Sequence, residues 1–179
     1  MRRTGRVGVV ILVLTLSVAL DQFTKAVARA TLGASAPVSL LNDFIRLEYV
    51  ENSGAFMGLG AAWPSAVRFA ILIGIAALIM TILLSFTVRS RLLNIAQLIG
   101  MSLIVAGGIG NLIDRIFRSG SVTDFISVGL LSIRTGVFNL ADLLVITGAA
   151  LLILRTPTEN DHTFIDQRYA EANTRIRGK

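Results

Sequence analysis

Four long apolar stretches constrain the fold of this chain more than any other feature of its sequence. An α-helix needs about 20 mostly apolar residues to cross a bilayer. Four segments approach or exceed that length, from about 7–28, 64–88, 92–117 and 137–154. The sequence therefore predicts an all-α integral membrane protein, in which a four-helix transmembrane bundle forms a single domain over residues 1–155.

The composition agrees with a membrane protein rather than a soluble domain. Hydrophobic residues make up 54% of the 179 residues and charged residues 16%, against about 25% charged in soluble domains. The mean hydropathy is +0.73, and the polar stretch 156–179 predicts a solvated cytoplasmic tail. A secretory signal cleaved near 34–36 is the competing interpretation of the N-terminus. It is disfavoured because Asp21, Lys25 and Arg29 separate the apolar segment from that position.

The basic residues predict the orientation of the chain in the membrane. The net charge is +6, but no basic stripe is interleaved with aromatic residues, so membrane lipids and not nucleic acid are the expected partner. With a cytoplasmic N-terminus, ten of the 17 basic residues lie on the cytoplasmic side and seven on the other, so we expect both termini in the cytoplasm. The acidic residues before the tail then all lie at or beyond the outer helix ends: Asp21, Asp43, Glu48, Glu51, Asp114, Asp124 and Asp142.

Four of these aspartates lie at membrane depth or close to it. Asp21, Asp114 and Asp142 are on predicted helices, and Asp124 is on the connection between the third and fourth helices. A charge in hydrocarbon costs several kcal/mol, so such groups usually face the interior of a bundle and mark function.

Helical spacing groups polar residues on three of the predicted helices. Residues three or four positions apart share one helix face. The groups are Asn111 with Asp114 and Arg115, Asn139 with Asp142, and Asp21 with Lys25. A purely structural role, as interhelical hydrogen bonds and end-of-helix ion pairs, remains open for Asp114 with Arg115 and for Asp21 with Lys25.

The residue types present in the predicted bundle favour chemistry by paired carboxylates. The chain has no cysteine, and its one histidine, His162, is in the polar tail, which excludes thiolate nucleophiles and leaves no expected metal site in the membrane region. Two close aspartates share a proton, because ionising both is costly. The ionised member then accepts a proton from water while the protonated member polarises a carbonyl. We expect Asp124 and Asp142 to form such a pair.

Two other functional classes compete with this interpretation. A small proton-coupled transporter or channel also places carboxylates inside a bundle, and a non-catalytic scaffold uses them only to hold helices together. A transport path needs polar residues along its whole length. The cytoplasmic halves of the predicted helices, such as 9–16 and 143–154, are almost wholly apolar, which disfavours transport.

Five short motifs occur in a fixed order along the predicted bundle. They are Asp21-Gln-Phe-Thr-Lys25, Asn52-Ser-Gly54-Ala-Phe56, Ala106-Gly-Gly-Ile-Gly-Asn-Leu-Ile-Asp-Arg115, Val122-Thr-Asp-Phe-Ile126 and Phe138-Asn-Leu-Ala-Asp142. Each motif is weak alone, but the ordered set resembles the lipoprotein signal peptidase (signal peptidase II) family over about residues 7–154.

The resemblance implies a function and a set of site residues. It implies an intramembrane aspartic endopeptidase, without a cofactor or metal, that cleaves diacylglyceryl-modified prolipoproteins before the lipid-modified cysteine. Asp124 and Asp142 are then the catalytic residues. The substrate-binding and supporting residues are Asp21, Lys25, Asn52, Gly54, Asn111, Asp114, Arg115, Asn139 and Ala141.

The resemblance also implies a location and an additional structural element. The active site is expected near the outer face of the bacterial inner membrane, in a monomer. Residues from about 38–62 are expected to form a small extracytoplasmic sheet that caps the site. The motif at 52–56 is one residue shorter than the commonest family form. In the third motif, Ala106 replaces a glycine, which indicates that the small residues of that motif serve close helix packing.

Overall fold

The protein is described by a computed structural model over residues 3–53, 64–90, 92–130 and 133–154. These residues form four α-helices and four β-strands. In chain order the elements are α1 (Arg3–Leu32), β1 (Val38–Leu40), β2 (Ile45–Asn52), α2 (Ser65–Arg89), α3 (Ile95–Phe117), β3 (Val122–Leu130), β4 (Ile133–Arg134) and α4 (Leu140–Leu154).

Three of the described helices are long and apolar enough to cross a bilayer. They are Thr4–Leu32 within α1, Phe69–Arg89 within α2, and α3. In contrast, α4 has 15 described residues, or about 22 Å along its axis against a hydrocarbon core of about 30 Å. The described chain therefore confirms four helices, while four complete spans stay a prediction.

Large apolar side chains cover the outward faces of α1 and α2. More than half of the surface of each is exposed in Leu12, Leu16 and Leu20 of α1 and in Ile75, Leu78 and Ile82 of α2. Contiguous apolar surface of this extent is rare on soluble monomers. Lipid chains are the environment in which this surface is stable.

Helix α3 is the centre of the bundle and contacts each of the other three helices. Small residues bring it close to α4. A Cβ atom added to Gly107 would overlap the carbonyl oxygen of Ala141, and Gly100 and Gly148 are each packed against the other's carbonyl oxygen. This is the backbone approach that small residues permit in lipid. Ala106, which is fully buried, lies within the same packed segment.

The strands form one antiparallel sheet in the order β1-β2-β3-β4. Strands β1 and β2 confirm the sheet expected from about residue 38, and the part of that segment from 54 to 62 lies outside the described residues. Asp124 lies on the connection between α3 and α4, as predicted, but the sequence did not predict the strand β3 that carries it there. Most of β3 is buried on both faces, so it lacks the alternation of polar and apolar residues that marks a half-exposed strand.

A tight turn connects α3 to β3. Ser119 and Gly120 both have positive φ angles, of 52° and 92°, and the Gly120 amide donates to the carbonyl oxygen of Arg115. Glycine adopts this left-handed conformation without steric cost. The turn ends α3 and directs the chain into β3, where Asp124 pairs with Val50 of β2.

Helix α1 extends beyond its predicted span of 7–28 at both ends, and the starts of α3 and α4 also differ from the prediction. Helix α4 begins at Leu140 rather than 137, because Phe138 pairs with Ile126 of β3 and holds the preceding chain extended. Helix α3 begins at Ile95, where the Asn94 side chain caps it by accepting from the Gln97 amide. The α2–α3 connection therefore spans residues 90–94, which is longer than the three residues left between the predicted spans 64–88 and 92–117.

We predict that Gly107→Ala destabilises the bundle. Its Cβ would overlap the Ala141 carbonyl at the first turn of α4, and overpacking of this kind costs about 1–3 kcal/mol. The melting temperature of the detergent-solubilised protein measures the effect, with Gly74→Ala of α2 as the matched control. A Cβ on Gly74 has open space around it, so the control should be neutral or stabilising. Equal melting temperatures for the two variants would contradict close α3–α4 packing.

Candidate active site

A buried ion triad connects α1 to α3. The Lys25 ammonium lies 3.0 Å from Asp21 and 3.2 Å from Asp114, and all three side chains are 0–1% exposed. Each aspartate also accepts a hydrogen bond from a backbone amide. Asp21 accepts from Ala141 at the start of α4, and Asp114 accepts from Thr123 of β3. The triad therefore fixes two helices, the start of a third and one strand relative to each other.

The partner of Asp114 differs from the predicted one. Asp114 and Arg115 both lie on α3, but Asp114 pairs with Lys25 rather than with Arg115. Arg115 instead donates to the backbone carbonyl of Asn111 at 3.4 Å, and its guanidinium lies within electrostatic reach of Asp142. The predicted pair of Asp21 with Lys25 is confirmed as an ion pair one helical turn apart.

Two asparagine side chains connect the triad to the two remaining aspartates. The Asn111 amide oxygen accepts from Lys25 at 2.9 Å, and its nitrogen donates to Asp142 at 3.0 Å. The Asn139 nitrogen donates to Asp124 at 2.6 Å and to the oxygen of Asn111 at 3.1 Å. The two asparagines thus form a continuous hydrogen-bonded path from Lys25 to both carboxylates.

The N-terminus of α4 positions Asp142. The Asn139 side-chain oxygen accepts from the Asp142 amide at 3.1 Å, and the Asp142 carboxylate accepts from the Asn139 amide at 3.0 Å. This reciprocal pair is a capping box, which satisfies amides that the first helical turn leaves unpaired. The carboxylate is therefore held by the geometry of the helix terminus itself.

Asp124 occupies a different environment on β3. It is 3% exposed, and its second oxygen accepts from the Asn52 side chain at 3.1 Å. Burial raises the pKa of Asp124 above that of an ordinary aspartate, and the nearby charge of Asp142 acts in the same direction, while the bonds from Asn52 and Asn139 oppose both. Asp124 therefore keeps its proton to a higher pH than an exposed aspartate would.

The structure brings together nearly all of the predicted site residues. Asp124 and Asp142 approach from a strand and a helix and are both bonded to Asn139. The members of the connected network are Asp21, Lys25, Asn52, Asn111, Asp114, Asp124, Asn139, Ala141 and Asp142. Arg115 lies at its edge, and Gly54 lies outside the described residues, as does Phe56.

Two participants were not predicted as site residues. The Gln22 side chain donates to Asp21, to Asp114 and to the Gly110 carbonyl, and its place inside the first motif was the available signal. Thr123 contributes its backbone amide to Asp114, and no side-chain pattern reveals a backbone donor. Two carboxylates that share a proton are the arrangement that activates water in aspartic proteases.

A small cavity lies beside Arg115, between α2 and α3. It is lined by Ser53, Phe69, Leu72, Ile73, Arg115, Ser119 and Gly120. Within the described part of the chain, no group of three or more acidic or histidine side chains is arranged to hold a metal ion.

Comparison with known proteins identifies the family. The model of the family described as signal peptidase (SPase) II matches residues 13–157. The chain belongs to the signal peptidase II family. The lipoprotein signal peptidase of Mycobacterium tuberculosis (strain ATCC 25618 / H37Rv) is 34% identical over 172 residues, which cover 92% of this chain and 76% of that protein. The lipoprotein signal peptidase of Treponema pallidum (strain Nichols) is 37% identical over 145 residues, or 78% of this chain and 77% of its own length.

Solved structures show the same fold. A structure described as a bacterial membrane enzyme superimposes with a TM-score of 0.71 at 27% identity, covering 84% of this chain and 95% of the other. A second structure with the same description gives a TM-score of 0.70, also at 27% identity, over 82% and 86% of the two chains. The membrane-protein interpretation of the signal peptidase II chain is thus supported by fold as well as by composition.

We predict that Lys25→Met strongly destabilises the protein. It leaves Asp21 and Asp114 buried without their shared cation, and breaking a buried ion pair on one side costs about 3–5 kcal/mol. Thermal unfolding in detergent measures the effect. The control is Arg46→Met, since Arg46 and Asp43 form a pair with 36% and 42% exposed side chains, and such surface pairs contribute about 0–1 kcal/mol. Similar melting temperatures for the two variants would argue against a structural role for the triad.

Proposed function

We propose that this signal peptidase II chain is a membrane-embedded aspartic endopeptidase with Asp124 and Asp142 as its catalytic residues. Its substrates are bacterial prolipoproteins, cut before the diacylglyceryl-modified cysteine. Asn139 carries the proposal, because its side-chain nitrogen and its backbone amide bond to the two carboxylates. A shared residue with two fixed donors brings a strand aspartate and a helix aspartate to one place, as proton sharing requires.

The chemistry follows from one proton shared by the pair. The ionised carboxylate accepts a proton from water as the water oxygen attacks the scissile carbonyl carbon. The protonated carboxyl gives its proton to the carbonyl oxygen, which forms a neutral tetrahedral intermediate. When the C–N bond breaks, the first carboxyl returns its proton to the leaving amine and the second regains one from the intermediate. Water is consumed, and the pair ends as it began.

Substrate positioning is assigned to polar groups around the pair. A signal peptide is an apolar helix, and its scissile amide must leave the helix to be attacked because a helical amide is already hydrogen-bonded. Asn52 bonds to Asp124 at the end of β2, where side-chain amides can replace the lost bonds. Arg115 borders the small cavity between α2 and α3 and lies within electrostatic reach of both carboxylates, so we assign it to bind the substrate backbone.

We assign the membrane arrangement from charge and from the position of the network. The four helices cross the bacterial inner membrane with both termini in the cytoplasm, the sheet caps the outer face, and the chain acts as a monomer. Residues 1–155 are one domain and 156–179 its cytoplasmic tail. The polar network lies at the ends of α1, α3 and α4 that adjoin the sheet. At the opposite end, Arg6 donates to the backbone carbonyls of Leu93 and Ser90.

We predict that Asp124→Asn and Asp142→Asn each remove nearly all cleavage of a lipidated precursor peptide. Asparagine keeps the size of the side chain but cannot share the proton on which water activation depends, so either change disables the pair. Cleavage before the modified cysteine is measured by mass spectrometry, with an unlipidated peptide alongside. Asp43→Asn is the matched control, since Asp43 lies in the β1–β2 turn and pairs there with Arg46 and Arg134. It should retain wild-type cleavage.

Asp142→Asn with most of the wild-type rate at equal protein level would refute the catalytic pair. Asp21→Asn is expected to behave differently, with partial activity or reduced abundance, because it weakens the triad without removing a reacting group. If cleavage survived in both catalytic variants, proton flux in liposomes would become the measurement of choice, since a transporter is the alternative use of buried carboxylates.

We predict that cysteine labelling reports the proposed topology. The chain has no native cysteine, so single substitutions are read without background. Ser39→Cys, in the exposed strand β1, should react with a membrane-impermeant thiol reagent added to spheroplasts. Thr4→Cys, exposed at the start of α1, should react only after the membrane is permeabilised. Labelling of Thr4→Cys from outside would reverse the assigned orientation.

A further inference from the structure

The orientation of the Asn111 amide is determined by its neighbour. The Lys25 ammonium has only N–H donors and no acceptor, so the Asn111 atom that lies 2.9 Å from it is necessarily the oxygen. The amide nitrogen must then face Asp142, at 3.0 Å from its Oδ1. Lys25 thus ensures that Asn111 presents a hydrogen-bond donor, never an acceptor, to this carboxylate.

The orientation of the Asn139 amide is determined in the same way. Its oxygen accepts from the backbone amide of Asp142, which is an obligatory donor. Its nitrogen therefore points to Asp124 and to the oxygen of Asn111. Neither asparagine amide can flip without losing three hydrogen bonds.

These constraints favour a negative charge on Asp142. Each of its oxygens accepts an N–H, one from the Asn111 side chain and one from the Asn139 backbone. A carboxylate that accepts several N–H groups is stabilised in its charged form. It also lies in the first turn of α4, where the helix dipole favours an anion.

The charged groups around Asp142 come from three elements. They are Lys25 and Asp21 of α1, Asp114 and Arg115 of α3, and Asp124 of β3. Arg115 lies within electrostatic reach of both Asp142 and Asp124, whereas Lys25 is connected to Asp142 through Asn111. Asp21 and Asp114 pair with Lys25, and Arg118 lies 3.8 Å from Asp114, so Asp124 is the anion whose charge competes with that of Asp142.

Asp124 is less able to hold that charge. It lies on a strand and not within the first turn of a helix, and it is almost fully buried. Its donors are the side chains of Asn52 and Asn139. Its pKa is raised, chiefly by burial and further by the charge on Asp142. When one proton is shared between the two carboxyl groups, it therefore resides on Asp124.

We propose that Asn111, oriented by Lys25, is a positioning residue that keeps Asp142 ionised, so that Asp142 is the general base and Asp124 the proton-bearing acid. This assignment rests on the proposed function. Asp142 accepts the proton of the attacking water, and Asp124 donates its proton to the oxygen of the scissile carbonyl. In the second step Asp142 gives its proton to the leaving amine, and Asp124 recovers one from the intermediate.

The test compares two asparagines that each contact one member of the pair. Asn111→Ala removes a donor from Asp142 only, and Asn52→Ala removes a donor from Asp124 only. The measurement is kcat/KM for a lipidated precursor peptide against pH, whose ascending and descending limbs report the base and the acid of the free enzyme. Only the positions of the limbs are compared, since both changes also affect substrate binding.

We expect Asn111→Ala to move the ascending limb to higher pH by about one unit, the effect of one lost hydrogen bond to a charged group, and to leave the descending limb in place. Asn52→Ala should move the descending limb to higher pH and leave the ascending limb in place. The reverse pattern, or two unmoved limbs, would overturn the assignment.

A second substitution at Asn111 guards against misfolding. Asn111→Asp keeps an oxygen toward Lys25 but places another against Asp142, so it should move the ascending limb further in the same direction; an unmoved limb would again overturn the assignment. Failure of the proposed function gives a different result. In that case Asp124→Asn or Asp142→Asn would still cleave, whatever happens to the limbs.

Discussion

The rest of this structure depends on the buried cation of Lys25 between Asp21 and Asp114. Three charges with less than 2% exposure are tolerated only because each has a partner and further hydrogen bonds satisfy the remaining atoms. The backbone amides of Ala141 and Thr123 complete this set. As a result, the same triad that holds α1 against α3 also fixes where α4 starts and where β3 passes, and these two elements carry the proposed catalytic pair.

Close helix packing makes this arrangement possible. A Cβ on Gly110 would overlap the carboxylate of Asp21, and one on Gly107 would overlap the backbone of α4. The glycines of α3 thus provide space for a side chain on one neighbour and for a main chain on the other. The same segment of α3 provides both the close helix packing and the space for the buried triad. A substitution in this segment is therefore expected to disrupt the packing and the polar network together.

The sequence predicted the helices and the polar clusters because both obey simple periodicity. Apolar stretches revealed the bundle, and three- and four-residue spacing revealed Asp21 with Lys25. It did not predict β3, which is buried on both faces and lacks alternation, or the Asp114–Lys25 pair, which joins residues 89 positions apart that no local spacing relates. The contribution of Thr123 is a backbone donor, and such donors have no residue-type signature. The sequence pattern predicts the local structure of each element, whereas side-chain pairs between different elements follow only from how the elements pack.

The capping box at the start of α4 links the order in which the chain folds to the formation of the proposed active site. Asp142 is both the residue that completes the helix terminus and, as proposed, a reacting group. The carboxylate has no defined position until the first turn of α4 has formed, and α4 is the last of the described elements to be synthesised. A partly inserted chain therefore carries Asp124 without its neighbour in place. On the proposed assignment, peptide hydrolysis is thereby confined to molecules whose bundle is complete.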